Sequence, residues 1–388
     1  MARVPANGSR KPTQKKSFSL NDYKKKTNVE DVPLKPVEWI KTSPALQEAT
    51  GLPGFPMGYT SLSRGFSNTG KSTSMLEGIV GAQKRGILPI VFDLENNIGE
   101  HRLEIMGFDW NNAIKVDTET LLYNFGRKRD KNRSQASIED LAMAINFYLD
   151  EQERGNLPMD LLFAIDSIGV LNCLKTINAE EKDTANNNMW NAGAYEAAFK
   201  GILNTRIPAS RKETKEFTNT IIAVQKIWID SQGAGVVKHK GGEAFYFGSR
   251  LIYHHGGIAT HGTRAVAATS KGKSVKYGVE TKVDVAKNHI DGPLGGLSME
   301  GKLISTVGGF VAPDSIDQYK KDNLLFFRKV LGEELNPDEI MTKYHQIQTI
   351  GDDEEQHIDD FNDTMKANFG KTKSDDINVD KNTGEIKE

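Results

Sequence analysis

One cysteine, Cys173, stands in 388 residues, so no disulfide can form within the chain. A buried, apolar role is expected for that thiol, in a reducing interior. No apolar stretch reaches the length of a membrane span, and the first residues lack the apolar run of a secretory signal. No membrane association is therefore expected. No segment repeats at a fixed period, which excludes solenoids and propellers. Hydrophobic residues make 37% of the chain and mean hydropathy is −0.50, the balance of a soluble protein with polar ends.

The net charge of −2 hides an asymmetry. Residues 1–35 carry nine positive charges against three acids, whereas residues 351–388 carry twelve acids against five lysines. The composition divides the chain into a basic arm (1–41), a core (42–310), a small helical or mixed element (311–350) and an acidic tail (351–388). Phe18, Leu20 and Tyr23 make the arm a candidate oligomerisation element. Asp352 to Glu355 with Asp359 and Asp360 make the tail a competitor for basic surfaces or a partner site.

Within the core, short apolar runs alternate with helical patterns. Strands are expected at residues 59–63, 87–93, 113–116, 160–166 and 220–225, and helices at 74–85, 140–151 and 187–204. Closely spaced strands follow at 245–247, 251–253, 265–268 and 282–286, with a polar turn at 270–274. A helix is expected at 322–330, and a mixed element over 337–350. Continuous apolar strands separated by helices predict an α/β fold: a mainly parallel twisted sheet with helices on both faces and added antiparallel strands.

Residues 65–72 read G-F-S-N-T-G-K-S, followed by Thr73. This is the glycine-rich loop that cradles a nucleoside triphosphate, set between an expected strand and an expected helix. Gly65, Phe66, Ser67, Asn68, Thr69 and Gly70 supply inward-pointing backbone. Lys71 supplies charge for the β- and γ-phosphates, and the Ser72 hydroxyl is placed for Mg²⁺, with Thr73 beside it. ATP and Mg²⁺ are the expected ligands. Asp166 ends an apolar strand and is expected to support the metal. Glu95 follows another strand and is expected to orient and deprotonate water. Gln225 closes a third strand, where an amide can contact the γ-phosphate and move on hydrolysis.

These residues lie among longer stretches that resemble the RecA-type DNA recombinases, in particular the phage UvsX branch. Residues 51–58 (G-L-P-G-F-P-M-G) resemble the family's lead-in to the phosphate loop. Phe92-Asp93-Leu94-Glu95 resembles its catalytic-glutamate strand, and residues 164–169 (A-I-D-S-I-G) its metal-carboxylate strand. Residues 241–251 (G-G-E-A-F-Y-F-G-S-R-L) resemble the stretch that closes the second DNA loop, the most specific of these matches. Residues 278–289 resemble its last core strand, ending Lys287-Asn288-His289 where bacterial RecA ends Lys-Asn-Lys. The likeness runs from about residue 42 to 310 in matching order.

The resemblance implies a RecA-like phosphate-loop ATPase core. It implies a cytoplasmic phage protein that acts in the host cell and forms filaments of itself on single-stranded DNA. Duplex DNA would be its partner in strand exchange, with a recombination mediator and a single-strand-binding protein as further partners. Lys287 and His289 would reach a neighbour's ATP. Two loops are offered to DNA. The first, residues 172–188, carries Lys175 and Lys182. The second, residues 226–243, carries Lys226, Trp228, Lys238, His239, Lys240, Gly241 and Gly242. Its lysines would contact phosphates without reading sequence. Two alternatives stay open: a hexameric replicative helicase of the same superfamily, and a non-catalytic nucleotide-dependent mediator.

Overall fold

The computed structural model describes residues 19–27, 32–126, 133–180, 189–229, 237–239, 241, 243–257, 262–270, 272–290, 300–324, 327 and 350. Phe18 and the rest of the arm to residue 18, the tail from 351, Lys182, Lys240 and Gly242 lie outside them.

The chain enters through α1 (Leu20–Thr27), β1 (Trp39–Lys41), α2 (Pro44–Thr50) and β2 (Gly54–Pro56). β1 and β2 pair antiparallel as a separate small sheet. There follow β3 (Thr60–Gly65), α3 (Lys71–Lys84), β4 (Leu88–Asp93), α4 (Glu100–Ile105), β5 (Ile114–Asp117), α5 (Thr118–Phe125), α6 (Ile138–Glu153) and β6 (Leu161–Ile168). Then come α7 (Leu174–Glu180), α8 (Met189–Gly201), a π-helical turn (Ile202–Arg206), α9 (Ile207–Ala209), β7 (Asn219–Ile229), β8 (Val237–His239), α10 (Ala244–Gly248) and β9 (Leu251–His255). The described chain closes with β10 (Arg264–Ser270), β11 (Lys273–Asn288), β12 (Glu300–Thr306), β13 (Gly309–Val311) and α11 (Ile316–Asp322).

The main sheet runs β13-β12-β11-β9-β3-β7-β6-β4-β5. The six strands from β9 to β5 are mutually parallel. β11, β12 and β13 extend the sheet antiparallel, and β10 pairs with the outer part of β11. This is an α/β fold on a mainly parallel mixed sheet. Every residue of β4 and β6 is buried, because helices cover both faces and leave no side of the strand wet. On one face, Phe92, Phe163, Ile165 and Ile221 pack against Leu141 and Ile145 of α6 and Phe199 of α8. On the other, Val91, Ala164, Ile222 and Tyr253 pack against Met75, Ile79 and Val80 of α3.

Local chemistry sets the helix ends. Ser137 caps α6 through a reciprocal pair with Asp140, whose carboxylate also accepts from Arg133 at 2.6 Å. α3 lies so close to β1 that a Cβ on Gly81 would stand 2.0 Å from the Lys41 carbonyl oxygen. A glycine is what that contact admits.

Several boundaries differ from the sequence expectation. α3 begins at Lys71 rather than Ser74, because Gly70 in the left-handed region (φ 95°) starts it from the loop itself. Residues 245–247 are helical, within α10, not a strand. One turn there buries Ala244 and Phe245 against α8, turns Tyr246 over Arg64 and leaves Phe247 exposed, which strand alternation could not do. The first expected DNA loop contains α7, with Thr176 and Ile177 buried. The helix expected over 187–204 passes into the π turn before Pro208. α11 ends where the next helix was expected, and most of residues 322–350 lies outside the described residues. Leu20 and Tyr23 sit on α1, both 56% exposed.

Candidate functional site

In a parallel set, all strands end at the same side of the sheet. β3, β4, β6, β7 and β9 therefore bring Gly65, Asp93, Asp166, Gln225 and His255 to one rim. The glycine loop, residues 65–70, leaves β3 there and turns into the N-terminus of α3.

The loop is closed on itself. The Lys71 ammonium donates to the Phe66 carbonyl, Thr69 Oγ1 donates to the same carbonyl at 2.9 Å, and Thr281 Oγ1 on β11 donates to the Thr69 carbonyl at 2.9 Å. Asn68 takes the left-handed conformation (φ 58°), which asparagine tolerates. Lys71 is buried, and that burial pulls its pKa down to about 8, although Asp166 and Glu95 nearby oppose the shift. The Ser72 hydroxyl hydrogen-bonds the Asp166 carboxylate, whose pKa burial raises to about 6. Asp166 Oδ2 is buried without a hydrogen-bond partner among the described residues. Thr73 Oγ1 shares a hydrogen bond with Ser305 Oγ (2.7 Å) and accepts from Arg102 Nη2 (2.8 Å).

Glu95 stands beyond β4, next to Lys71 and Asp166. Its Oε1 accepts from Ser167 Oγ at 2.5 Å, and its Oε2 accepts from Lys226 Nζ at 2.7 Å and Asn97 Nδ2 at 3.2 Å. Asp93, two residues earlier at the end of β4, accepts instead from the backbone N–H groups of Asn97 and Ile98 and shapes that turn. Gln225 is fully buried. Across the rim from it, in register on one face, lie Arg64, His254 and Asp284. The Arg64 guanidinium sits 5.0 Å over the Tyr246 ring.

Lys71, Ser72, Asp166 and Glu95 thus meet at one point, with Gln225 in the adjoining strand. The candidate DNA residues divide. Past Lys226, β7 leaves its ladder with β3 and pairs antiparallel with β8, Trp228 opposite Lys238. Trp228 (40%) and Lys238 are exposed. Lys226 turns down to Glu95 instead. His239 turns inward too, stacked on Tyr246 at 5.8 Å, and desolvation lowers its pKa. Gly241 (φ 80°) passes so close to β6 that a Cβ there would lie 2.4 Å from Ile168 Cγ2. Lys175 is exposed on α7, with its ammonium 3.9 Å over the Trp190 ring.

Lys287 and His289 are not brought to the glycine loop. β11 runs antiparallel to β9, so Lys287 pairs with Ile252 while Val283 pairs with His255 at the loop end. Four residues of strand separate them, roughly 13 Å. The Lys287 ammonium donates to the Tyr246 and Phe247 carbonyls at 3.1 and 3.3 Å, and His289 is exposed.

Three participants escaped the sequence reading. Ser167 sits beside Asp166 in the same motif, so adjacency was a signal. Arg102 carried no local signal, because its partners Thr73 and Thr306 are distant in sequence. Glu77 faces the core from α3, accepting from Ser43 N and Oγ (3.1 and 2.8 Å) and from Phe310 N (2.7 Å). Its burial raises its pKa to about 7.

No helix among the described residues is long and apolar enough to cross a membrane. No protein-family model matches the chain, and comparison with curated proteins finds no significant match.

Proposed function

We propose that the chain is a DNA-stimulated ATPase of the RecA recombinase type, a filament-former on single-stranded DNA that promotes pairing and exchange with duplex DNA. One observation carries the reading: Lys71, Ser72, Asp166 and Glu95 meet at the loop-to-helix junction beyond the parallel strand ends. A loop of backbone N–H groups at a helix N-terminus suits a polyphosphate. Lys71 exchanges the Phe66 carbonyl for β- and γ-phosphate oxygens, whose charge favours its protonated form. The orphaned Asp166 Oδ2 and the Ser72 hydroxyl fit magnesium, which binds through few protein oxygens together with phosphates and water. The bound ion would neutralise charge on the phosphates.

Glu95 orients the water and accepts its proton. As the water oxygen bonds to the γ-phosphorus, the bond to the bridging oxygen breaks and its electron pair leaves with the β-phosphate. Gln225 lies between this chemistry and the β7–β8 hairpin, where Trp228 offers a stacking face and Lys238 a charge for the strand backbone. Lys287 and His289, at the far end of the sheet, are suited to a neighbouring subunit's nucleotide rather than their own.

The test is phosphate release from ATP with and without single-stranded DNA, for wild type and Lys71→Ala, combined with electron microscopy. DNA-dependent turnover lost in Lys71→Ala, with helical filaments, is the expected outcome. Closed rings would point to the helicase, and no turnover to a non-catalytic mediator.

A further inference from the structure

Lys226 was expected to face DNA, and it faces the catalytic carboxylate. We propose that Lys226 is a latch on Glu95, holding it inactive until nucleic-acid phosphate draws the lysine away. The inference rests on the ATPase reading above and names how DNA would control it.

Three observations meet here. First, both oxygens of Glu95 are engaged: Oε1 by Ser167 at 2.5 Å, Oε2 by Lys226 at 2.7 Å. A carboxylate held by an ammonium is a weaker base, and its lone pairs point at the lysine rather than at water. Second, Lys226 is the residue after Gln225, in register with Gly65, so it sits at the root of the hairpin. One residue further on, Ile227 begins the ladder with β8 that carries the exposed Trp228 and Lys238. Whatever grips the hairpin pulls on the strand that bears the latch. Third, the pair has unequal freedom. The Glu95 side chain is 14% exposed and the Lys226 side chain 35%. The lysine has a flexible four-carbon stem and a path to solvent, so it is the partner that can leave.

A DNA phosphate near the hairpin root offers the ammonium a second anion. Once it swings, Oε2 loses the ammonium and can accept a water proton beside the longer contact from Asn97 Nδ2 at 3.2 Å. The same residue then counts twice, as a brake without DNA and as a phosphate contact with it.

The experiment measures ATP hydrolysis at saturating ATP and magnesium, with and without single-stranded oligothymidylate, for wild type, Lys226→Gln and Lys226→Arg. In Lys226→Gln the DNA-free rate should rise at least about 5-fold, the lower end of coupling between linked sites, and the ratio of stimulated to DNA-free rate should fall to match. Lys226→Arg keeps the ion pair and should keep the DNA dependence. A DNA-free rate in Lys226→Gln that is unchanged or lower overturns the latch. Ionic strength gives a second measurement on wild type. Screening weakens a partly exposed pair, though less than a surface one, so DNA-free hydrolysis should climb between about 0.05 and 0.5 M salt. A flat or falling rate also overturns the proposal. Absence of any DNA-stimulated turnover in wild type would instead sink the ATPase reading, and the two failures are distinct.

Discussion

The parallel and antiparallel halves of the sheet gather polar side chains by different rules. In the parallel half, six strands point the same way, so residues at their ends converge on one rim whatever their distance in sequence. Asp93, Asp166 and Gln225 are separated by dozens of residues and stand on adjacent strands. In the antiparallel half, successive strands end at opposite sides. Lys287 and Thr281 belong to the same strand, yet Thr281 touches the glycine loop and Lys287 lies at the other end of the sheet. A parallel sheet concentrates chemistry within a subunit. Antiparallel strands disperse it, here from the glycine loop to the far end of β11. The halves are tied together by Glu77, which reaches from α3 to Phe310 on β13.

The sharpest way to break that contrast is to mutate one residue from each half. Glu95→Gln should lower ATP turnover by about 10²–10⁴-fold with ATP affinity spared. Lys287→Ala should leave ATP binding by dilute, DNA-free protein unchanged and reduce only DNA-stimulated, cooperative turnover. Equal losses of nucleotide affinity in the two variants would refute the division.

Packing differs between the halves as well. Valine at Gly81 has to displace the Lys41 carbonyl, and should destabilise the protein by about 3 kcal/mol, the upper end for overpacking. Gly272, in the turn between β10 and β11, has nothing within 4 Å of an added Cβ, so Gly272→Ala meets only the strain of φ 76°. That is about 1 kcal/mol. Urea midpoints in the reverse order would contradict the packing account.

The Glu77 bridge should show in the pH dependence of stability. Its folded pKa is raised from 4.5 to about 7, mainly by desolvation. Between those values the folded state binds a proton that the unfolded state lacks, so stability falls as pH rises through the window and levels off above it. Asp166, raised from 3.8 to about 6, acts in the same direction. Thermal melts from pH 4.5 to 7 should lose part of this slope in Glu77→Gln. An identical slope in both proteins would remove Glu77 as its source.

The smallest effect is expected at the exposed hairpin. Lys238→Ala should reduce the slope of log affinity for single-stranded DNA against log salt by about 0.7, one phosphate contact. An unchanged slope would move the DNA away from β8.

The sequence made the parallel half legible. The all-buried strands β4 and β6 begin as continuous apolar runs; Glu95 lies two residues past the end of β4, and Asp166 closes the apolar run within β6. Lys71 and Ser72 stand out through loop spacing alone. Elsewhere the local pattern was ambiguous. Phe245, Tyr246 and Phe247 have strong strand preference, but burying Phe245 against Phe199 required a helical turn. α7 is short and polar, and its buried face is two residues wide. The Lys226–Glu95 pair joins residues 131 apart and depends on which way a flexible side chain turns. No spacing rule carries that information. The inward turn of His239 has the same character.

The edges of the main sheet have a consequence for solubility. Along its main path the outermost strands are β13, three residues long, and β5, four residues long, while β10, seven residues long, borders β11 off that path. β13 is buried throughout, and β5 carries Lys115, paired with Glu100 at 2.9 Å. Such short borders offer a stray strand too few backbone groups to nucleate a new ladder. At β13 and β5 the main chain therefore offers little for border-to-border pairing, and β10, the longer border, is blunted by the register shift between Val266 and Ala267 and by the charge of Arg264.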